Sequence, residues 1–376
     1  MEISQARRIV LKIGSALLTD AQSGTLKSKW LDNLIHSIIQ ISDNNRQEWL
    51  VVSSGAVALG RKSLDLPDNQ PGSYLTLEQK QAAASIGQIR LAEAYSKTLG
   101  KYNRYCGQIL LSLDDTENRR SHLNARNTLE TLLKNNVIPI VNENDTVTTQ
   151  EIRFGDNDRL AARVAQMMEA DLLILLSTTD GVYDKDPARH EDAKHIEKIE
   201  TITQDIRNMA ETTDSLISTG GMISKLEAAR IATQAGCHVT ILDGRRPAPL
   251  TDYKRKTDFI ASRTPEHSRK KWIRAHLKPK GTVLIDQGAH AALIKGKSLL
   301  PVGVIKIVGE FQRGDAVNIK GQDNRLIARG LIAYDSDNAK KIIGVHSKEI
   351  PEILGFESRN ELVHRNDLVL EEIKEP

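Results

Sequence analysis

At 376 residues, 39% hydrophobic and 27% charged, the chain is long enough for two domains of roughly 100 to 200 residues each, and its composition is that of an ordinary globular protein. A net charge of +3 is too small to argue for nucleic acid by itself, and no apolar run approaches the roughly 18 residues of a membrane-spanning helix. Cys106 and Cys237 stand far apart without a CxxC, so neither a disulfide framework nor a zinc site is suggested and buried thiols are expected.

The amino terminus lacks signal-peptide order, since Glu2 and Ser4-Gln5 precede Arg7-Arg8 and the apolar stretch 9–11 is too short; a cytoplasmic protein is expected. Up to residue 245, short β-branched runs alternate with helical stretches, the pattern of a mainly parallel sheet covered by helices on both faces. The first predicted strand, 8–13, ends in Lys12-Ile13-Gly14-Ser15, where a glycine admits a ligand to the backbone and a lysine sets a positive charge at the strand tip. The second, 48–53, runs into Ser53-Ser54-Gly55-Ala56, hydroxyls followed by a glycine that opens a helix whose first N–H groups suit an anion. A helix over 77–97 follows, announced by Thr76 with Gln79 three residues on, a capping-box spacing.

After a third strand at 105–111 and a fourth at 137–141 come Asn142-Glu143-Asn144-Asp145. One Asn or Asp serves a turn; four amide and acid groups in a row point to a substrate's ammonium, hydroxyl or carboxyl groups. Gly155-Asp156-Asn157-Asp158 then leads into another helix, which needs only one of these residues as its cap. The fifth strand, 172–176, ends in Ser177-Thr178-Thr179-Asp180-Gly181-Val182-Tyr183. Further on, Ser218-Thr219-Gly220-Gly221-Met222 introduces a helix over 221–235 that carries Lys225 and is stopped by Gly236; bare N–H groups with a lysine one turn in form an anion cradle. The last strand of this part is 238–242. Ligands of an open α/β sheet lie beyond the carboxyl ends of its strands, which gathers these segments into one site. Neither a P-loop nor a GxGxxG is present.

Between residues 254 and 280 ten Lys/Arg face only Asp258 and Glu266, the composition of an interdomain connector with a solvated basic face, with a polyanion contact as the alternative. Beyond it, glycine-punctuated short segments, including 302–308 and 316–320, predict a small strand-rich domain, and 371–376 a frayed end.

Taken in order, Lys12-Ile13-Gly14-Ser15, Ser53-Ser54-Gly55-Ala56, Asn142-Glu143-Asn144-Asp145, Gly155-Asp156-Asn157-Asp158 and Thr219-Gly220-Gly221-Met222 resemble the amino-acid kinase family, in the branch that carries an appended PUA domain. The likeness spans the chain, with Arg269-Lys270-Lys271-Trp272-Ile273 similar to that branch's junction. It implies a three-layer αβα sandwich with a mainly parallel sheet over 1–262, a basic connector at 263–277, a small β-rich PUA domain at 278–358 and a tail at 359–376. It also implies ATP-dependent phosphorylation of the side-chain carboxylate of L-glutamate, with Mg2+, a possible feedback inhibitor in proline, and a homo-oligomer. By the same resemblance Ser54, Gly55, Asn142, Asp145 and Asn157 bind glutamate. Lys12, Ser177, Thr178, Thr219, Gly220, Gly221, Met222, Ile223, Ser224 and Lys225 bind ATP. Lys12 and Lys225 flank the transferring phosphoryl group, and Asp158 holds both lysines. One departure stands out: family members often place an acid directly after the hydroxyl that is here Ser177, where this chain has Thr178. Other acceptors (acetylglutamate, aspartate, carbamate or a nucleoside monophosphate) are the alternatives within the family. An RNA-binding protein is the alternative outside it, disfavoured by aromatics at 4%.

Overall fold

The computed structural model describes residues 1–20, 23–66, 75–147, 156–213, 221–265, 279–356 and 359–371. The chain divides into two compact units, Met1–Pro265 and Glu266–Pro376.

In the first unit the strands are β1 (Arg8–Ile13), β2 (Glu48–Ser53), β3 (Cys106–Leu111), β4 (Ile138–Glu143), β5 (Leu172–Ser177), β6 (Val182–Tyr183), β7 (His195–Ile196), β8 (Lys198–Ile199), β9 (His238–Asp243) and β10 (Lys256–Phe259). The main sheet has the order β3-β4-β2-β1-β5-β9-β10-β8, while β6 and β7 pair as a separate hairpin. From β3 to β9 every neighbour is parallel; β10 runs antiparallel to β9, and β8 parallel to β10.

The apolar strands sort their side chains by parity onto the two faces. Val10, Leu50, Val52, Leu173, Leu175, Val239 and Ile241 join one core, shared with α5 (Leu113–Glu117), α6 (Arg119–Lys134), α7 (Asp156–Met167), α8 (Gln204–Thr213) and α9 (Met222–Gln234). Ile9, Leu11, Ile13, Trp49, Val51, Ile174 and Leu176 join the other, shared with α1 (Ser15–Leu18), α2 (Ser28–Asn45), α3 (Ala56–Arg61) and α4 (Leu77–Gly100). Each fully buried Ile, Leu or Val contributes about 1.5–3 kcal/mol, so this sheet is the rigid base of the unit. Its α4 begins as its sequence announces: Gln79 N donates to Thr76 Oγ1 at 3.3 Å and Thr76 N to Gln79 Oε1 at 3.0 Å.

Several expectations are corrected. Strand β4 continues through Asn142 and Glu143, so half of the polar quartet belongs to the sheet rather than to a loop. The helices expected at 77–97 and 221–235 are α4, which runs on to Gly100, and α9, which starts at Met222. The basic stretch begins inside the sheet as β10, where Lys256 Nζ binds Glu2 at 2.9 Å and Asp258 at 3.1 Å. Cys237 is buried but Cys106, at the start of edge strand β3, is only half-buried. The segment Arg269-Lys270-Lys271-Trp272-Ile273 lies outside the described residues.

The second unit has its own five-stranded sheet, β11 (Gly281–Ile285), β12 (Val304–Gly309), β13 (Ala316–Lys320), β14 (Leu326–Leu331) and β15 (Leu368–Leu370), in the order β12-β11-β13-β14-β15. Val283, Ile285, Ile307, Phe311, Val317 and Ile319 centre its core. Pro301–Gly303, part of the strand expected at 302–308, is a 3-10 turn, and helices at Gln287–Ile294 and Ser336–Lys341 add to what was expected as strand. Among the described residues no helix is long and apolar enough to cross a membrane.

Candidate active site

The parallel strands end along one edge of the first sheet, in register: Lys12 pairs with Val52 and Leu175, Ile13 with Ser53 and Leu176, and Ser177 with Asp243. Lys12 has the parity of Val10, so its stem rises on the face covered by α7 and α9. These two helices pack on one another, and both carry small buried residues in the same core, Ala161, Ala162 and Ala165 on one and Ala228, Ala229 and Ala232 on the other, which suits a close approach of their first turns to the tip of β1.

Asp158, in the first turn of α7, is fully buried. Its Oδ1 takes Lys12 Nζ at 2.5 Å, and its Oδ2 takes Lys225 Nζ at 3.4 Å and Ser224 Oγ at 3.1 Å. Both lysines are themselves 6% exposed. Burial pushes the Asp158 carboxyl up, but the charges of Lys12 and Lys225, with the hydrogen bonds of Lys12 and Ser224, outweigh it and hold the group below its ordinary 3.8. Two ammoniums set about one ionised carboxylate make a cluster suited to an anion.

The next residue back serves a different group. Asn157 Nδ2 donates to Ser54 Oγ at 2.9 Å and to Asn142 Oδ1 at 3.2 Å, tying α7 to the ends of β2 and β4. Its Oδ1 is buried and has no hydrogen-bond partner among the described residues. Such an orphaned acceptor suits a ligand's donor, for instance an ammonium group. Asn142 Oδ1 also accepts from Glu143 N at 2.8 Å. Gly55 follows Ser54 at φ 109°, a left-handed conformation that favours glycine, and starts α3 (Ala56–Arg61). Asp145 is buried in the turn just past β4.

Of the residues expected on the nucleotide, Lys12, Ser224 and Lys225 belong to the Asp158 cluster, while Ser177 and Thr178 do not. Ser177 closes β5 with its Oγ 3.2 Å from Thr179 Oγ1, and Thr178 is exposed. Gly221 caps α9, Met222 is half-buried and Ile223 is 46% exposed at the open end of the helix. Thr219 and Gly220 lie outside the described residues.

Two residues of α4 were not anticipated. Tyr95 OH donates to Ser53 Oγ at 2.9 Å, and Gln88 Nε2 donates to the Glu143 carbonyl at 3.3 Å while accepting from Gln108 Nε2 at 3.2 Å. They brace the strand ends that carry Ser54 and Asn142. The signal was present: Gln88 stands at helical spacing on the stripe of Ala84, Leu91 and Tyr95, and a polar residue on a buried stripe demands a partner.

The profile of the amino acid kinase family matches residues 7–243, and that of the PUA domain matches residues 281–354. Curated relatives include a glutamate 5-kinase of Bradyrhizobium diazoefficiens, 50% identical over 372 residues that span 98% of this chain and 98% of the relative. A glutamate 5-kinase of Brucella anthropi is 51% identical over 98% of this chain and 97% of its own length. Solved structures similar to the chain include the UMP kinase of Ureaplasma parvum, 17% identical with a TM-score of 0.46, covering 68% of this chain and 99% of that one. Carbamate kinase from Giardia lamblia bound to AMP-PNP is 16% identical with a TM-score of 0.47, covering 69% and 99%.

Proposed function

The chain belongs to the amino acid kinase family and, within it, to the glutamate 5-kinases, and from that premise we propose that Asp158 and Asn157 join the two ends of its reaction. The reaction is ATP plus L-glutamate giving ADP and L-glutamyl 5-phosphate, the first step from glutamate toward proline. The observation that carries the site assignment is the adjacency of these two residues. Asp158 gathers the lysines that suit a phosphoryl group, while Asn157 beside it faces Ser54 and Asn142 with a buried acceptor to spare.

A glutamate side chain has a reference pKa of about 4.3, so the nucleophile is ionised at pH 7 and needs no general base. Its oxygen forms a bond to the γ-phosphorus as the bond from that phosphorus to the bridging oxygen breaks, and ADP leaves with the electron pair. The difficulty is bringing an anion to a polyanion, which is met by positioning and charge. At an effective dielectric of 20 one charge pair at 4 Å is worth about 4 kcal/mol, so Lys12 and Lys225 are the residues to which the larger share falls. Asp158 aims them. Ser54, Gly55, Asn142, Asp145 and Asn157 orient glutamate. Ser177, Thr178 and the turn into α9 receive the nucleotide.

Among the described residues no group of three or more His, Cys, Asp or Glu side chains is arranged for a metal ion, and Asp158 is already engaged by two lysines. This donor set fits a Mg2+ held chiefly by phosphates and water, the usual arrangement for that ion, which neutralises phosphate charge. Proline, which resembles the product's cyclised form, is proposed to compete with glutamate at the Asn157 pocket.

Hydroxylamine traps an acyl phosphate as a hydroxamate. With ATP present, hydroxamate is expected from glutamate and not from acetylglutamate, aspartate or carbamate; a stronger signal from one of those acceptors overturns the choice of substrate.

A further inference from the structure

The Asp158 carboxylate is served unevenly. Oδ1 is held by Lys12 from β1 at 2.5 Å, whereas both donors on Oδ2 come from the first turn of α9, Ser224 at 3.1 Å and Lys225 at 3.4 Å. The lysine distance lies outside the usual range of about 2.7–3.2 Å for an N–H···O bond, so on this oxygen the serine is the closer partner and the lysine the looser one. On the proposed function, Lys225 turns N–H groups of its ammonium to a phosphoryl group, which draws on a contact to Oδ2 that is already long. A carboxylate with no solvent exposure that loses a donor faces the full cost of desolvation, which favours taking up a proton and releasing Lys12 as well.

We infer that Ser224 is a positioning residue that keeps Asp158 oriented and ionised while Lys225 turns to the phosphoryl group. Its hydroxyl is short, neutral and one residue from Lys225 on the same turn, so it holds Oδ2 without drawing charge away from the reaction. The hydrogen bond from Ser224 is among the influences that keep the Asp158 carboxyl low. This role differs from a nucleotide contact, which the same side chain has by family resemblance, and the two predict different kinetics.

The inference rests on the glutamate kinase reading, so the wild-type protein is assayed first with glutamate, ATP and hydroxylamine. Ser224→Ala is expected to lower kcat about tenfold, to leave KM for glutamate and for ATP within about twofold, and to move the acid limb of kcat up by about one pH unit. Its acid-unfolding midpoint, read without any substrate, moves up as well. Ser224→Thr, which keeps the hydroxyl, restores the kcat and the limb. A raised KM for ATP with an unmoved acid limb overturns the inference and makes Ser224 a nucleotide contact. Unchanged kcat and limb in the alanine variant, or a folded threonine variant that restores neither, also overturns it while active wild type leaves the kinase reading standing. A wild-type protein that makes no hydroxamate from glutamate removes both.

Discussion

At the scale of single residues, the site turns on one carboxylate, and its ionisation can be followed. Lys12→Ala or Lys225→Ala removes a charge whose worth lies in the transition state, so kcat is expected to fall about a hundredfold or more with KM for glutamate nearly unchanged. Steady-state kinetics with a mainly raised KM would move the lysines into ground-state binding instead. Asp158→Asn asks a second question. The folded Asp158 carboxyl titrates below its ordinary 3.8. Its ionised form therefore contributes stability that is present in full above the unfolded value of about 3.9 and is lost as pH falls through the lower folded value. Removing one partner of a buried ion cluster costs about 3 kcal/mol or more. The gap in unfolding free energy between wild type and Asp158→Asn, measured in urea, should be level from about pH 5 to 8 and shrink below about pH 4. A gap that narrows on going alkaline would contradict the depressed carboxyl.

At the scale of elements, the substrate side of the site hangs on the crossing of α3 and α4. A Cβ on Gly87 would lie 1.7 Å from the Ala56 carbonyl oxygen, and one on Gly60 1.8 Å from that of Ala83, so the two backbones meet with no room for a side chain. Replacing a mid-helix glycine by alanine gains about 0.5–1 kcal/mol in helix preference, but overpacking costs about 1–3 kcal/mol and here the obstacle is backbone on both sides. Gly87→Ala is thus expected to be net destabilising by about 2 kcal/mol in urea unfolding. It should also raise KM for glutamate, because α3 starts at Gly55 beside Ser54. Stabilisation with an unchanged KM would show that the crossing yields. The sequence disclosed β1 and β2 at their observed bounds, and the α4 cap, since apolar runs and capping pairs are local signals. It hid β8 and β10, whose two and four residues include Lys198, Lys256 and Asp258 and offer no apolar run to read. It hid the end of β4 because Asn142 and Glu143 pair in the sheet through backbone groups while their side chains read as loop. The chemistry at positions 12, 158 and 225 was visible from residue types and neighbouring glycines. That one carboxylate touches both lysines followed only from the family resemblance and not from residue types, because parallel crossovers bring the three together over long stretches of chain.

At the scale of the whole molecule, every candidate site residue lies in Met1–Pro265, and the second unit has a separate hydrophobic core. A chain ending at Pro265 is therefore expected to form hydroxamate from glutamate, with kcat and both KM values within about tenfold of the full protein. Where the cut falls matters more than the loss of the second unit. The kinase family profile ends at residue 243, yet the sheet does not. Strand β10 lies beyond that point and buries Phe259 to 1% exposure and Thr257 completely. Thr257 Oγ1 donates to the Ile196 carbonyl at 2.6 Å and accepts from Val182 N at 2.8 Å, so this one hydroxyl ties the β6–β7 hairpin to the sheet directly after Ser177 and Thr178. A chain ending at Tyr253 would expose the edge of β9 and strip those bonds, and burying a Phe alone is worth about 1.5–3 kcal/mol. The shorter chain should aggregate or unfold several degrees earlier in a thermal melt, with KM for ATP raised because the hairpin beside Ser177 is released. Equal melting and equal KM for chains ending at 253 and at 265 would mean that β10 is an ornament of the sheet. Loss of all activity in both would mean instead that the second unit is needed for the first to work.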